Sequence, residues 1–385
     1  MKANESLPNY DSKVRESTNF IIKSIKQTCK DAPSRRTGSE GEKKAQQYVR
    51  DTMEKFADSI ETQEFRTVIK TEERVRYFSV FYIISILSAF ALGFVCHFLP
   101  DRNLNYLFFI PVAVMLIGTF PIPKKGGSEN IVVKKSPSGE MKRRIVFLGN
   151  INSPVERFFY LIGSVKLEKI VTAYALTGAA VCYFLNLLYA FKVSELNPIF
   201  SVIEAVFLPA GVAMFVFYNT KKNVMGVNGN LTGAFDSMAV IQFLSYNNLA
   251  LENTEVVAVS CGAGIHGAIE FMKEPFDDVD TVFVSVDNLL SDECFSFSGS
   301  MSEQIKQAAV LARVKITEGK DDVGSSLENA LSKKKVSYTR ISGYDEESGI
   351  YSTEGDDLEM LSPMAIEAGL KLSLETAYLF DEKGI

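Results

Sequence analysis

The sequence predicts an α/β fold, a mixed and mostly parallel central sheet with helices on both faces, interrupted by two hydrophobic helical hairpins. Three observations predict it. Runs such as IVFLG, VVAVS and VFVSV are apolar without polar alternation, as central strands covered on both faces should be. Helical stretches alternate with these runs along the chain, the order expected of a parallel sheet. Four long apolar blocks arrive in two close pairs, each block near the roughly 20 residues needed to cross a bilayer.

In chain order, helices are expected over 39–57, 232–245, 302–312, 325–331 and 363–379. Strands are expected near Phe65 and over 130–133, 144–148, 255–260, 281–286 and 336–341. Ligands of such sheets bind beyond the carboxyl ends of the strands, so chemistry is expected in the loops after Leu148, Ser260 and Val286.

The apolar blocks are 77–99, 104–122, 170–191 and 198–218. The first and third contain no Asp, Glu, Lys or Arg, and all four are read as membrane helices. Turns at 100–103 and 192–197 make each pair a hairpin. Arg74, Arg76, Lys124 and Lys125 flank the first, while Lys166, Lys169, Lys221 and Lys222 flank the second. The turns hold only Arg102 and Lys192 as basic residues. The positive-inside rule then places both turns outside and all the remaining sequence in the cytoplasm, giving a multi-pass protein of the cell membrane. The expected division is a soluble domain of 1–73, 124–165 and 222–385, with hairpins at 74–123 and 166–221. The bilayer is thus the first expected partner, and exposed helix faces leave room for a membrane-protein partner or self-association.

Composition narrows the function. A net charge of −6 argues against a nucleic-acid surface. His occurs only twice, as His97 and His266, although imidazole is the commonest metal ligand and the usual base near neutral pH. The five cysteines, Cys29, Cys96, Cys182, Cys261 and Cys294, form no CxxC pair, so neither a disulfide framework nor a zinc knuckle is expected. The polar stretch 1–65 predicts no cleavable signal peptide.

At the predicted strand ends the chain resembles the co-catalytic di-zinc aminopeptidases and carboxypeptidases, the family of glutamate carboxypeptidase II, nicastrin and the transferrin receptor. RRTGSEGEKKAQQYV (35–49) is similar to the family's opening helix, and ENIVV (129–133) follows as its strand. IVFLGNINS (145–153) resembles a strand ending in G-H-x-D-S, and GVNGNLTG (226–233) resembles the G-x-N-D-N-x-S-G loop. VAVSCGAGIHG (257–267) resembles a strand and turn reading G-x-E-E-x-G-x-x-G. VFVSVDNL (282–289) resembles the N-x-D strand, and YSTEGDD (351–357) the Y-H-T-x-x-D segment. The resemblance implies a zinc-aminopeptidase sheet and, in the family, two zinc ions held by two His and three acidic residues, with a Glu as general base.

Matched position by position, that set is nearly gone. Asn150 stands for the first His, Asn152 for the Asp two residues further on, and Gly229 for the bridging Asp. Cys261 and Gly262 stand for the Glu pair, and Ser352 for the last His; Asp287 alone keeps a ligand type. Catalytic zinc takes about three protein ligands, so one carboxylate is too few and zinc is expected to be lost. The expectation is a pseudo-peptidase that binds or scaffolds, with no catalytic residue and no cofactor. Its vestigial positions, with Asn228 and Asn230, form either a neutral hydrogen-bond network or a pocket for a small polar ligand. Two alternatives stand beside it. One is a hydrolase rebuilt around Cys261, His266 and Asp287. The other is a transporter accessory using Glu204, a carboxylate inside the fourth apolar block that otherwise reaches the interface.

Overall fold

The structure is a computed structural model that describes residues 2–68, 71–98, 104–119, 125–157, 164–191, 198–276, 278–290, 294–319, 336–343 and 353–384. The expected helix at 325–331, both hairpin turns and Ser352 lie outside these residues. The chain divides into two compact units, one of Met1–Thr67, Lys125–Pro154 and Asn223–Ile385, the other of Val68–Lys124 and Val155–Lys222.

The first unit is built on an eight-stranded sheet among the described residues, ordered β1-β2-β6-β3-β7-β10-β8-β9. The strands are β1 (Ser59–Val68), β2 (Lys125–Lys135), β3 (Arg143–Asn150), β6 (Thr254–Cys261), β7 (Asp280–Asp287), β8 (Phe295–Gly299), β9 (Ile316–Glu318) and β10 (Ser337–Ser342). β6, β3, β7 and β10 run parallel, while β2 pairs antiparallel with β6 and β8 with β10. The α/β, mixed and mostly parallel fold is therefore as the sequence predicts.

The apolar runs have the physical cause proposed for them. Side chains along a strand point alternately to opposite faces. Ile145 and Phe147 enter the larger core with Ile131, Val256, Ala258, Val282 and Val284. Val146 and Leu148 enter a second core with Val132, Val257, Val259, Phe283 and Tyr338. Both faces are dry, so no polar alternation survives.

The larger core is covered by α1 (Tyr10–Asp31), α2 (Glu40–Met53), α7 (Thr232–Tyr246), α9 (Ser302–Ala312) and α10 (Pro363–Lys383). The second is covered by α8 (Ile265–Phe271). Ser39 caps α2, its Oγ accepting the Glu42 N–H at 3.2 Å, and Ser362 caps α10 by accepting the Ala365 N–H at 3.2 Å. α1 was not expected. Its buried face carries Ser17, Thr18, Ser24 and Thr28 beside Val14, Ile21 and Ile25, so small polar residues blur the apolar period.

α7 is buried from Thr232 to Leu244, and its one charged residue, Asp236, is fully buried with only the Ser373 Oγ donating to it, at 2.7 Å. Burial pushes this carboxyl up to about 7, with the Ser373 bond opposing. Between the unfolded value of 3.8 and about 7, the native state keeps a proton that the unfolded chain releases. Its contribution to stability is therefore fully present below about 4, falls as pH rises through that window, and levels off above it. Asp236→Asn removes the charge, and its melting midpoint is expected to gain on the wild type as pH rises from 5 to 8. A constant difference across that range would contradict the assignment.

The second unit comprises α3 (Thr71–Phe98), α4 (Phe109–Thr119), α5 (Ser164–Ala190), α6 (Pro198–Phe217) and a two-stranded ribbon of β4 (Val155–Arg157) and β5 (Tyr218–Asn223). The sequence reading expects four membrane-length helices here. Among the described residues, two helices are long and apolar enough to cross a bilayer by length and composition, Arg74–Cys96 and Leu167–Ala190, with mean hydropathies of 2.2 and 1.6. The other apolar stretches, Asn105–Thr119 and Val202–Phe217, are shorter. In the first of these, Asn105–Phe108 forms a 3-10 turn, leaving 11 residues of α-helix, about 16 Å at 1.5 Å per residue. The second contains Pro209, which removes a backbone donor inside the helix.

The interior of this unit holds polar groups among its apolar side chains. Tyr82 Oη donates to the Phe207 carbonyl at 3.2 Å, and Ser85 Oγ to the Pro111 carbonyl at 2.8 Å. Glu204 is buried rather than directed outward, and Asn186 Nδ2 donates to its Oε1 at 2.7 Å. The reading of Glu204 as an interfacial side chain does not describe this geometry.

Candidate functional site

The carboxyl ends of β6, β3, β7 and β10 form one edge of the sheet. Asn150 lies opposite Cys261 across β3 and β6, and Asp287 lies opposite Ser342 across β7 and β10. A π-turn at Val227–Leu231 leads into α7 beside them. The matched positions 150, 152, 228, 229, 261, 262 and 287 all fall in these strand ends and the adjoining turns, while Ser352 lies outside the described residues.

Several of these positions are hydrogen-bonded to other groups of the protein. Asp287 receives two parallel bonds from Arg340, Nε to Oδ2 at 2.9 Å and the terminal nitrogen to Oδ1 at 3.0 Å. Asn288 Nδ2 adds a third, to Oδ1 at 3.1 Å. Asn230 Nδ2 donates to both the carbonyl and Oδ1 of Asn152, at 2.7 and 3.0 Å, so part of the expected asparagine network is present. The backbone N–H groups of Asn228 and Gly229 donate to Asp356, at 2.6 and 3.2 Å. Asp356 is 1% exposed; burial raises its carboxyl, and those two N–H bonds and the charge of Arg35 oppose the rise.

Arg35 is the largest fully buried side chain in the molecule's described residues. Its guanidinium donates to the carbonyls of Ile151 at 2.8 Å, Ala32 at 2.9 Å and Met225, which joins the loop after β3 to the approach to the π-turn. Burial lowers its pKa to about 10, against the pull of Cys29 and Asp356. Glu42, also buried, accepts from Gly38 N at 2.7 Å, Ser128 Oγ at 3.0 Å and Ala263 N at 2.7 Å, and so holds the turn after β6.

Cys261 and Gly262 stand where the resemblance places the Glu pair, and neither position accommodates one. The Cys261 side chain belongs to the second apolar core, its Sγ 3.8 Å from the Val259 carbonyl. A Cβ on Gly262 would lie 2.2 Å from the Glu129 carbonyl oxygen and 2.5 Å from Ser128 Oγ. The turn has closed onto β2 and leaves no room for a side chain.

The Cys261–His266–Asp287 alternative is not assembled either. Cys261 is fully buried, and burial pushes its thiol up to about 12, whereas His266 is exposed on α8 and Asp287 is occupied by Arg340.

Whether zinc fits can be judged from these donors. Two zinc ions need about six protein contacts or shared carboxylates. The described positions offer a neutral amide at Asn150, no side chain at Gly229 or Gly262, a thiol turned into the core, and a carboxylate already neutralised by a guanidinium. Among the described residues, no group of three or more His, Cys, Asp and Glu is placed to hold a metal ion. The residues present do not fit the metal centre implied by the resemblance.

Sequence reasoning missed Arg340, Asp356, Arg35 and Glu42 as site residues. Only Glu42 had a clear local signal, the Ser39-x-x-Glu42 spacing of a capping box. Arg340 could have been noticed as a charge inside a predicted strand, whereas Arg144 and Glu255 only open theirs.

No protein-family model matches the chain, and no curated protein matches it. Solved structures do. A glutaminyl cyclase from an Acidobacteriales bacterium aligns with a TM-score of 0.56 at 12% identity, covering 96% of each chain. A zinc aminopeptidase from Bacillus subtilis aligns at 0.55 and 11% identity, covering 94% of each. A leucine aminopeptidase precursor from Bacteroides thetaiotaomicron aligns at 0.53 and 10%, covering 94% of this chain and 96% of that one. At such identities the likeness shows the fold: an α/β fold of the zinc-aminopeptidase and glutaminyl-cyclase kind.

Proposed function

We propose that this chain is a membrane-anchored, catalytically inactive relative of the zinc aminopeptidases that serves as a binding or scaffolding subunit. The observation that carries the inactive reading is the bidentate Arg340–Asp287 pair, which commits the one retained acidic ligand position to a cation of the protein itself. Among the described residues, Cys261 and Gly262 stand at the positions where the resemblance places the Glu pair, and a positioned base contributes about 10²- to 10⁴-fold to such hydrolysis.

The anchor reading is supported by the distribution of side chains in the helical unit. Phe90, Phe94, Phe98, Ile170, Phe184 and Phe191 are each more than half exposed, while Ser79, Ser85, Asn186 and Glu204 are buried. Large apolar side chains outside, with the few polar ones turned inward, is the arrangement a lipid solvent favours, and water penalises so large an apolar surface. The basic flanks of the two hairpins orient the sheet unit toward the cytoplasm.

Two assays test the proposal on the full chain. Membranes carrying it are washed with alkaline carbonate, and the detergent-purified protein is offered aminopeptidase substrates and N-terminal glutaminyl peptides. Retention in the membrane without hydrolysis or cyclisation is expected. Release by carbonate overturns the anchor, and turnover abolished by Asp287→Asn overturns the inactive reading.

A further inference from the structure

We infer that Arg340 has taken the electrostatic place of a metal at the sheet edge: its guanidinium neutralises Asp287 and cross-links β7 to β10, so that the cleft holds together without a divalent cation. The inference rests on the reading of the cleft as lacking a metal centre and adds what replaced it.

The geometry supports substitution more strongly than surface decoration. Asp287 closes β7 opposite Ser342, and Arg340 lies two residues earlier on β10, opposite Ser285. Residues two apart share a face, so the long arginine reaches diagonally along one face to the strand end. The pair is only 12% and 22% exposed, both carboxylate oxygens are engaged, and the two bonds are parallel, the planar match that guanidinium makes with carboxylate. Asn288, 4% exposed and with φ of 51°, completes the cradle by bonding Asp287 Oδ1 and Ser342 Oγ. A carboxylate held this way needs a positive partner, and the chain supplies it from the neighbouring strand.

The same substitution recurs around the cleft. Every loop that the resemblance assigns to metal binding, within the described residues, is bound by a polar group of the protein: Asp356 on the π-turn, Asn230 on Asn152, and Glu42 on the turn after β6. These bonds link chain segments far apart in sequence, the structural task a shared metal performs.

The test is a double-mutant cycle on the full chain in detergent, read as the thermal midpoint with and without chelator. Arg340→Gln leaves Asp287 charged and unpaired, and a fall of about 5–10 °C is expected for a pair this buried in a chain of this size. Asp287→Asn in that background should recover most of the loss, since the uncompensated charge is then removed. Arg340→Lys should fall between, because it keeps the charge and loses the parallel bonds. The wild-type midpoint should be unmoved by chelator or by added zinc.

Additive single effects in a zinc-free chain would overturn the role of Arg340 and leave the inactive reading intact. A wild-type midpoint that falls on chelation would overturn the inactive reading itself, whatever the cycle shows.

Discussion

Gly262→Glu, the change to the residue that the resembling family carries at this position, is expected to destabilise the sheet unit strongly rather than supply new chemistry. The new Cβ would start 2.2 Å from the Glu129 carbonyl oxygen, which belongs to β2 backbone and cannot rotate away. The turn itself is pinned on three sides, by Asn130 Oδ1 on the Gly262 N–H at 3.1 Å, by Glu42 on the Ala263 N–H at 2.7 Å, and by Asn130 Nδ2 on the Gly267 carbonyl at 2.9 Å. Overpacking a tight site costs about 1–3 kcal/mol even when neighbours can yield, and here they are backbone held by hydrogen bonds. The expected loss is about 3 kcal/mol or more, against a total stability on the order of 5–15 kcal/mol. Denaturant unfolding followed by far-ultraviolet circular dichroism measures it. A variant as stable as the parent would show that the turn after β6 is far looser than its contacts indicate.

Arg35→Leu is expected to have the second large effect, by a different route. Leucine fills part of the volume, but the carbonyls of Ile151, Ala32 and Met225 lose the donor they share, and Asp356 loses the nearest positive charge. Each buried acceptor left unmade costs about 1–3 kcal/mol, and a buried charge without compensation adds to it. A loss of about 3–5 kcal/mol is expected, larger at alkaline than at acid pH, because burial raises the Asp356 carboxyl and its deprotonated form suffers most without Arg35. The measurement is the denaturant midpoint followed across the acid-to-alkaline range. A variant as stable as the parent throughout would show that the bonds of Arg35 do not hold the site.

Much of the sheet unit was legible in the sequence, and the reason is burial on both faces. Val256, Val257, Ala258 and Val259 alternate between two separate cores, so the strand reads as an unbroken apolar run of the length a central strand requires. The helix over 302–312 was placed residue for residue, because its buried positions Ile305, Ala308, Ala309 and Ala312 keep the helical period. α1 escaped notice because serine and threonine occupy its buried face. The membrane-length expectation rested on composition alone, and a 3-10 turn such as Asn105–Phe108 leaves the mean hydropathy of a segment unchanged.

The cleft was legible only in outline. Order and spacing of the motifs located the strand ends correctly, and the residue types at 150, 229, 261 and 262 carried the expectation that zinc ligands are missing. What could not be read was the compensation. Arg340 lies 53 residues from Asp287 and Asp356 lies 128 from Asn228, so each partnership depends on strand order and loop closure. A sequence pattern with a local period holds no record of such contacts. The position of Gly262 illustrates the difference: its identity announces a missing side chain, and only the packing of Glu129 and Ser128 shows that none can return.

The most direct test of the account is the metal content of the detergent-purified full chain, measured by elemental analysis on protein equilibrated with zinc and then freed of unbound metal. The account predicts zinc far below one ion per chain, unchanged in Asp287→Asn. Close to two ions per chain, lost together with turnover on chelation, would contradict it and would require a ligand set other than the one matched here.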